Sequence, residues 1–284
     1  TKMVQGESEK MIEDMMVIAN CTVARELRKN GIPVLYRVHE FPPSDKLSTF
    51  RDFLKKLRLL KAFPKTENLS GARLNDFLES IEDDNVRASV SIMMLRALAK
   101  ARYTPEELGH FGLAEIDYCH FTSPIRRYPD LEVHRLLKKY LVENDMSMST
   151  IDFLNTALVE VASHSSEREV AAQNAEREVD DMKMAEYMEK NVGKTYVGTI
   201  SSVTSFGFFV ELDNLIEGLV HISTLKKDYY NYVPELLSII GKSTKKTYRL
   251  GDKVKVICTA ASKETAMIDF EIVEDKDGNK KQKS

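Results

Sequence analysis

The 284-residue sequence has no apolar run approaching the roughly 18–20 residues that cross a bilayer. Its start also lacks a basic segment followed by an apolar one, so neither a membrane span nor a secretory signal is expected. Cysteines are few: Cys21, Cys119 and Cys258 lie far apart with no CxxC spacing. That pattern argues against a zinc ribbon or a disulfide framework and reads as three packing residues in a reducing cytoplasm. No charge sign dominates, with 41 Lys+Arg against 44 Asp+Glu and a net charge of −3. A global basic field that would announce nucleic acid is therefore missing. No repeat of domain size occurs, and the echo EREV at 167–170 and 176–179 puts its copies on opposite sides of a helix. The chain opens at Thr1-Lys2 without a Met, which points to a trimmed or partial chain.

What is present describes an ordinary globular protein, 43% hydrophobic and 30% charged, with a length suited to two domains. Up to about residue 190 the period is helical. Ile12, Met16, Ala19, Val23 and Leu27 recur at spacings of three and four and predict one apolar helix face, closed by Gly31 and Pro33. GIPVLYRVHE at 31–40 reads as a short extended segment, followed by helices near 47–60, 71–81 and 84–101. Ser123-Pro124 has the form of an N-cap with Pro at the first helical position, and a long polar helix covers roughly 151–190. After Gly193 the period shortens. YVGTISSV, FGFFVEL, GLVHI, KVKVICTA and AMIDFEIV are five candidate strands, with a helical piece near 234–240 between the third and fourth. Five strands with that interruption suit a small Greek-key barrel of the OB type. The expectation is an α+β chain: a mostly helical unit at 1–192, a five-stranded OB barrel at 193–274, and a basic disordered tail at 275–284.

Within the barrel, Phe206 and Phe209 flank a glycine turn and His221 sits in GLVHIS. Phe208 and Val210 share one strand face and Phe209 lies on the other, so not all can be buried. VGTISSVTSFGFFVELDNLIEGLVHIS resembles the RNA-binding OB domain first described in the largest small-subunit ribosomal protein, over about 194–273. That resemblance implies that Phe206, Phe209 and His221 form an exposed platform for single-stranded RNA. Stacking on such a platform contributes about 1–3 kcal/mol per base without sequence preference. Lys227, Tyr229 and Arg249 are further candidates for contacts.

In the helical half the informative stretch is GHFGLAEIDYCHFTSPIRRYPDLEVHRL at 109–136. If Ser123 opens a helix, Arg126 and Arg127 occupy its first turn, where free N–H groups and the helix dipole favour an anion. Arg126, Asp130 and His134 would share a face, letting Asp130 orient Arg126. The plain alternative is a structural salt-bridge network. HFTSPIRRYPDLEVHR resembles the signature of the ribonuclease II / ribonuclease R catalytic (RNB) domain. GESEKMIEDMMVIANCTVA at 6–24, GIPVLYRVHE at 31–40 and NAEREVDD at 174–181 resemble its other segments in order, and the intact RRYPD and YRVHE favour the ribonuclease R branch.

The resemblance implies a processive 3′-to-5′ exoribonuclease that hydrolyses single-stranded RNA to nucleoside 5′-monophosphates. Arg126 would clamp the phosphate beside the scissile bond, Arg127 would add to the RNA contacts, Glu176 would lie near the RNA 3′ end, and Glu13 would contact the terminal nucleotides. The plain alternatives are that Glu176 is a solvated helix residue, that Glu13 pairs with Lys10, and that Asn20, on the same helix face as Glu13, only packs. Tyr36, Arg37 and His39 read as structural. The family holds Mg²⁺ with a GxxDxDD-like aspartate cluster, and this chain has adjacent aspartates only at Asp83-Asp84 and Asp180-Asp181, neither with that spacing. No metal ligand is therefore assigned. The expectation is a monomer that binds RNA but does not cut it alone, and the alternative is a non-catalytic single-stranded RNA-binding protein.

Overall fold

A computed structural model describes residues 6–145 and 147–273, without the side chains of Asn85 and Glu235; the tail expected at 275–284 lies outside them. The helical half runs α1 (Glu7–Lys29), β1 (Tyr36–Val38), α2 (Ser44–Lys56), α3 (Gly71–Glu79), α4 (Asp84–Ala97), β2 (Arg102–Thr104), α5 (Tyr128–Lys138) and α6 (Met148–Glu189). β2, absent from the sequence expectation, pairs antiparallel with β1. Side chains start the later helices. Asp83 Oδ1 accepts from Val86 N at 3.0 Å, and Ser147 Oγ from Thr150 N at 3.4 Å. Asp83-Asp84 thus opens α4, as an acidic helix start should.

Two apolar cores hold this half. One gathers Ala24 and Leu27 of α1, the β1 segment, Val133 and Leu136 of α5, and Leu154, Leu158 and Ala162 of α6. The other is built by α2, α3 and α4 around Phe50, Phe53, Phe63 and Phe77. The face expected on α1 is only half used. Leu27 is buried, but Ile12 and Met16 are exposed, with Met11, Met15 and Ile18 beside them. Every residue from Glu7 to Met16 is exposed, and burial begins only toward Asn20. No helix among the described residues is long and apolar enough to cross a membrane.

The barrel half begins with β3 (Thr195–Thr204), β4 (Gly207–Leu212) and β5 (Glu217–His221). It continues through β6 (Tyr230–Val233), β7 (Ser238–Gly241) and β8 (Thr247–Arg249) to β9 (Lys253–Ser262) and β10 (Met267–Ile272). Strands β10-β5-β4-β3-β9 close into a barrel, matching the five expected strands. The helical piece expected near 234–240 shrinks to a 3-10 turn at Pro234–Leu236. Ser238-Ile239-Ile240-Gly241 is instead the central strand of a β6-β7-β8 sheet. Its two isoleucines explain the change: β-branched residues suit a pleated surface, and Ile239 buries completely. All three cysteines are buried free thiols.

α6 belongs to both halves. Its Ala185 and Met188 are fully buried within the barrel core. Lys263, in the β9–β10 turn, donates its backbone N–H to Glu189 Oε1 at 2.7 Å and its ammonium to Glu186. Hydrogen bonds from Lys183 and Lys263 hold the Glu186 carboxyl down at about 2.

Candidate nucleic-acid interface

Two sites emerge, one in each half. The first is a cleft of about 980 Å³ between the segment preceding α5 and the middle of α6, lined by Arg126, Arg127, His164, Arg168 and Glu176 among others. The helix does not begin where the Ser-Pro pair suggests. Residues 124–126 form a turn in which Arg126 N and Arg127 N both donate to Ser123 O, and α5 starts at Tyr128 with Arg127 as N-cap and Pro129 in its first turn. The second proline takes the place expected of the first.

Asp130 fastens this turn. Its side chain is fully buried, and Oδ1 accepts from Ser123 N at 2.7 Å and from Arg127 Nη2 at 2.8 Å. The carboxylate therefore orients Arg127, not Arg126 as the spacing implied, because the chain preceding α5 is not helical. Arg126 is exposed and forms no salt bridge among the described residues. Asn20 anchors the same segment from α1, its Oδ1 accepting from Phe121 N at 3.0 Å and Thr122 N at 3.2 Å. His134 closes the other side, stacked on Phe121 and 2.9 Å from its carbonyl oxygen through Nε2.

The floor is set by a buried polar ladder. Arg37 forms a two-pronged ion pair with Glu169 of α6, at 2.6 and 3.1 Å, and lies over the Tyr103 ring. Tyr103 OH meets His120 Nδ1 at 2.8 Å. Burial, with the nearby Arg127 and Arg37, pushes the His120 imidazole down to about 3, while burial and His39 bring His110 down to about 4. Both are neutral at pH 7. The unfolded chain takes up protons from about pH 6.5 downward and the folded chain does not. The stability carried by the neutral imidazoles is thus complete above pH 6.5 and drains away as pH falls toward 4 and 3. Urea unfolding at pH 7.5 and pH 5 should differ by about 2 kcal/mol for His120 alone. His120→Gln should flatten that difference, and an unchanged profile would contradict the assignment.

Of the residues expected in the catalytic half, the cleft unites Arg126, Arg127 and Glu176. Glu13 is exposed on α1 and does not line it. Glu160, His164, Arg168 and Gln173 were not foreseen. Part of the signal lay in spacing, since 160, 164 and 168 recur every four residues and stay within about 80° of one another on a helix. Arg37 is structural, as its motif suggested.

The second site lies on the barrel. Phe208 and Val210 are fully buried, whereas Phe206 is 47% exposed and its ring meets Phe209 edge-on at 6.3 Å. His221 pairs in register with Gly207, and its Nδ1 accepts from Ser223 N. Gly207 is required here, because a Cβ would come within 2.3 Å of Val220 O. The three expected platform residues thus share the β4–β5 end of the barrel. Tyr229 is 85% exposed at the start of the β6 sheet, and Arg249 donates its backbone N–H to Asp252.

The described residues contain no group of three or more His, Cys, Asp or Glu side chains able to hold a metal ion. Asp83 caps α4, and Asp180 and Asp181 lie on α6. These residues do not fit a Mg²⁺ site, and no chemical step at the cleft is assigned to one.

Comparison with known proteins finds one family match in each half. The RNB domain family matches residues 2–143, and the S1 RNA binding domain family matches residues 189–272. Ribonuclease R 1 of Lactococcus lactis is 44% identical over 270 residues, covering 95% of this chain and 33% of that protein. Ribonuclease R of Escherichia coli is 39% identical over 277 residues, covering 95% and 34%. The apo form of Mycoplasma genitalium RNase R has a TM-score of 0.85 at 32% identity, over 95% of this chain and 42% of that one. The same enzyme in complex with ribose methylated single-stranded RNA gives the same values. The chain spans about a third of the length of these curated relatives.

Proposed function

Because this chain belongs to the RNB family, alongside ribonuclease R, we propose that it is the RNA-gripping part of a processive 3′-to-5′ exoribonuclease acting on single-stranded RNA. The observation that carries the reading is the meeting of Arg126 and Glu176, from segments 50 residues apart, in one cleft. Arg126, exposed and without a salt bridge among the described residues, offers a guanidinium fork suited to a phosphate. Arg127, pinned by Asp130, adds fixed positive charge. Glu176 faces the 3′-terminal ribose as an acceptor for its hydroxyls, the groups that separate RNA from DNA, and Glu13 contacts the terminal nucleotides. Phosphate charge that grows during cleavage is offset by Arg126. Phe206, Phe209 and His221 stack incoming bases.

In the full-length enzyme Mg²⁺ assists hydrolysis to nucleoside 5′-monophosphates, held by aspartates in the part of the relatives that this chain does not span. These 284 residues bind RNA without cutting it, as a monomer in the cytoplasm; buried free thiols fit that compartment.

The test is incubation of the purified chain with 5′-labelled single-stranded RNA, with and without Mg²⁺. Salt-sensitive binding without shortening is expected. Arg126→Ala should lower the slope of log K against log salt by about 0.7. Phe209→Ala and His221→Ala should each weaken binding by about 1–3 kcal/mol, roughly 5- to 150-fold. Mg²⁺-dependent shortening from the 3′ end, lost in Arg126→Ala, would refute the non-cutting reading. Absence of binding would refute the RNA reading altogether.

A further inference from the structure

The chain carries a net charge of −3, yet four lysines line one groove of the barrel half. Lys227 reaches it from the loop after β5, Lys246 from just before β8, and Lys253 and Lys255 from β9. The groove measures about 760 Å³, and among the described residues Asp252 is the one carboxylate lining it. That acid is engaged locally, its Oδ2 accepting from Arg249 N at 2.8 Å. All four lysines are exposed. Lys253 and Lys255 stand two apart on one strand and therefore project to the same side. Lys246 extends over the Tyr248 ring, its Nζ 5.1 Å from the centroid.

Lysines rather than arginines have a chemical meaning here. An ammonium on a flexible stem is a point charge with no planar preference, suited to following a phosphate chain rather than gripping one group in fixed geometry. The groove is also near the stacking platform. Six residues separate His221 from Lys227, so the two ends of that loop are at most about 20 Å apart. An OB barrel accommodates roughly 4–16 nucleotides of single strand, enough to cover both.

The geometry points to this groove as a phosphate-backbone track, distinct from the platform, that holds the sugar–phosphate chain of the strand whose bases stack on Phe206 and Phe209. The identity of the polyanion as RNA rests on the function proposed above. Division of labour follows: the platform supplies salt-independent stacking, and the lysine groove supplies attraction through counterion release.

The experiment compares the wild-type chain, a Lys246→Gln/Lys253→Gln double variant and Phe209→Ala, each binding a 20-residue oligouridylate between 50 and 200 mM KCl. Thermal unfolding confirms that both variants fold. The lysine variant should lose about 1.4 from the salt slope and bind about tenfold or more weakly at 50 mM. Phe209→Ala should weaken binding at every salt concentration with the slope unchanged. An unchanged slope in the lysine variant, with wild-type RNA binding intact, overturns the groove and leaves the platform standing. A second measurement is independent of RNA: titration with inorganic tripolyphosphate, read by backbone amide shifts. Shifts at 246–255 support the groove even if oligouridylate fails to bind, in which case only the RNA reading falls. No shifts there overturn the groove.

Discussion

Asp130→Ala should lower the stability of the helical half by about 3–5 kcal/mol, among the largest losses expected from a single side chain in this protein. The carboxylate is fully buried and neutralises Arg127, whose side chain is 21% exposed, while also satisfying Ser123 N. Its removal leaves a half-buried guanidinium and a backbone amide without their acceptor. Such orphaned groups cost more than the intact pair ever contributes, because they were desolvated on the assumption of a partner. Asp130→Asn keeps an acceptor for Ser123 N and should fall between. The sharper control removes both charges: Arg127→Met with Asp130→Leu should recover much of the loss. Denaturant unfolding of the four proteins checks the scheme, and a double variant as unstable as Asp130→Ala would show that the charge argument is wrong.

Phe208→Ala should cost about 3–5 kcal/mol of barrel stability, the usual range for an aromatic removed from a filled core. Phe208 has no exposed surface and stacks on Tyr248 with centroids 4.9 Å apart. The neighbouring Phe209→Ala tests the opposite side of the same strand. It should leave the unfolding transition nearly in place while weakening RNA. Two adjacent phenylalanines would then separate cleanly, one by denaturation and one by binding. Equal destabilisation by both would place Phe209 in the core and remove it from the platform.

The platform of Phe206, Phe209 and His221 came from motif resemblance, but that separation was readable from strand alternation, as were the five barrel strands and the helical half from their periods. Each of these rests on a short-range rule, period two or period 3.6. The losses came where tertiary partners decide. Ser123-Pro124 has the residues of a helix start, but 124–126 form a turn that Asp130 fastens through Ser123 N, and the helix begins only at Tyr128 with Pro129 in its first turn. Ser238-Ile239-Ile240 looked helical from its surroundings, yet strands on both sides claim it. On α1 the apolar period leads to burial only from Asn20 onward, and Met11, Ile12, Met15 and Met16 stay exposed. In the cleft, Arg126 and Glu176 came from motif resemblance, whereas Arg168 and His164 became visible only once α6 was placed against the α5 turn.

α6 has 42 residues, so at 1.5 Å each it extends about 63 Å. Leu154 and Leu158 are rooted in the helical core and Ala185 and Met188 in the barrel core, while residues 171–180 between them are exposed all round. The helix therefore works as an axle keyed at both ends. Along the helix alone, one residue added to its bare shaft means about 1.5 Å and a turn of about 100°, which would break the packing of Ala88 and Ile92 of α4 against the barrel core and swing the stacking platform out of line with the cleft. Seven added residues would return almost the same heading, about 10 Å farther away. On this shaft, sequence length is also angle, and the alignment of the two RNA sites is set by phase as much as by distance.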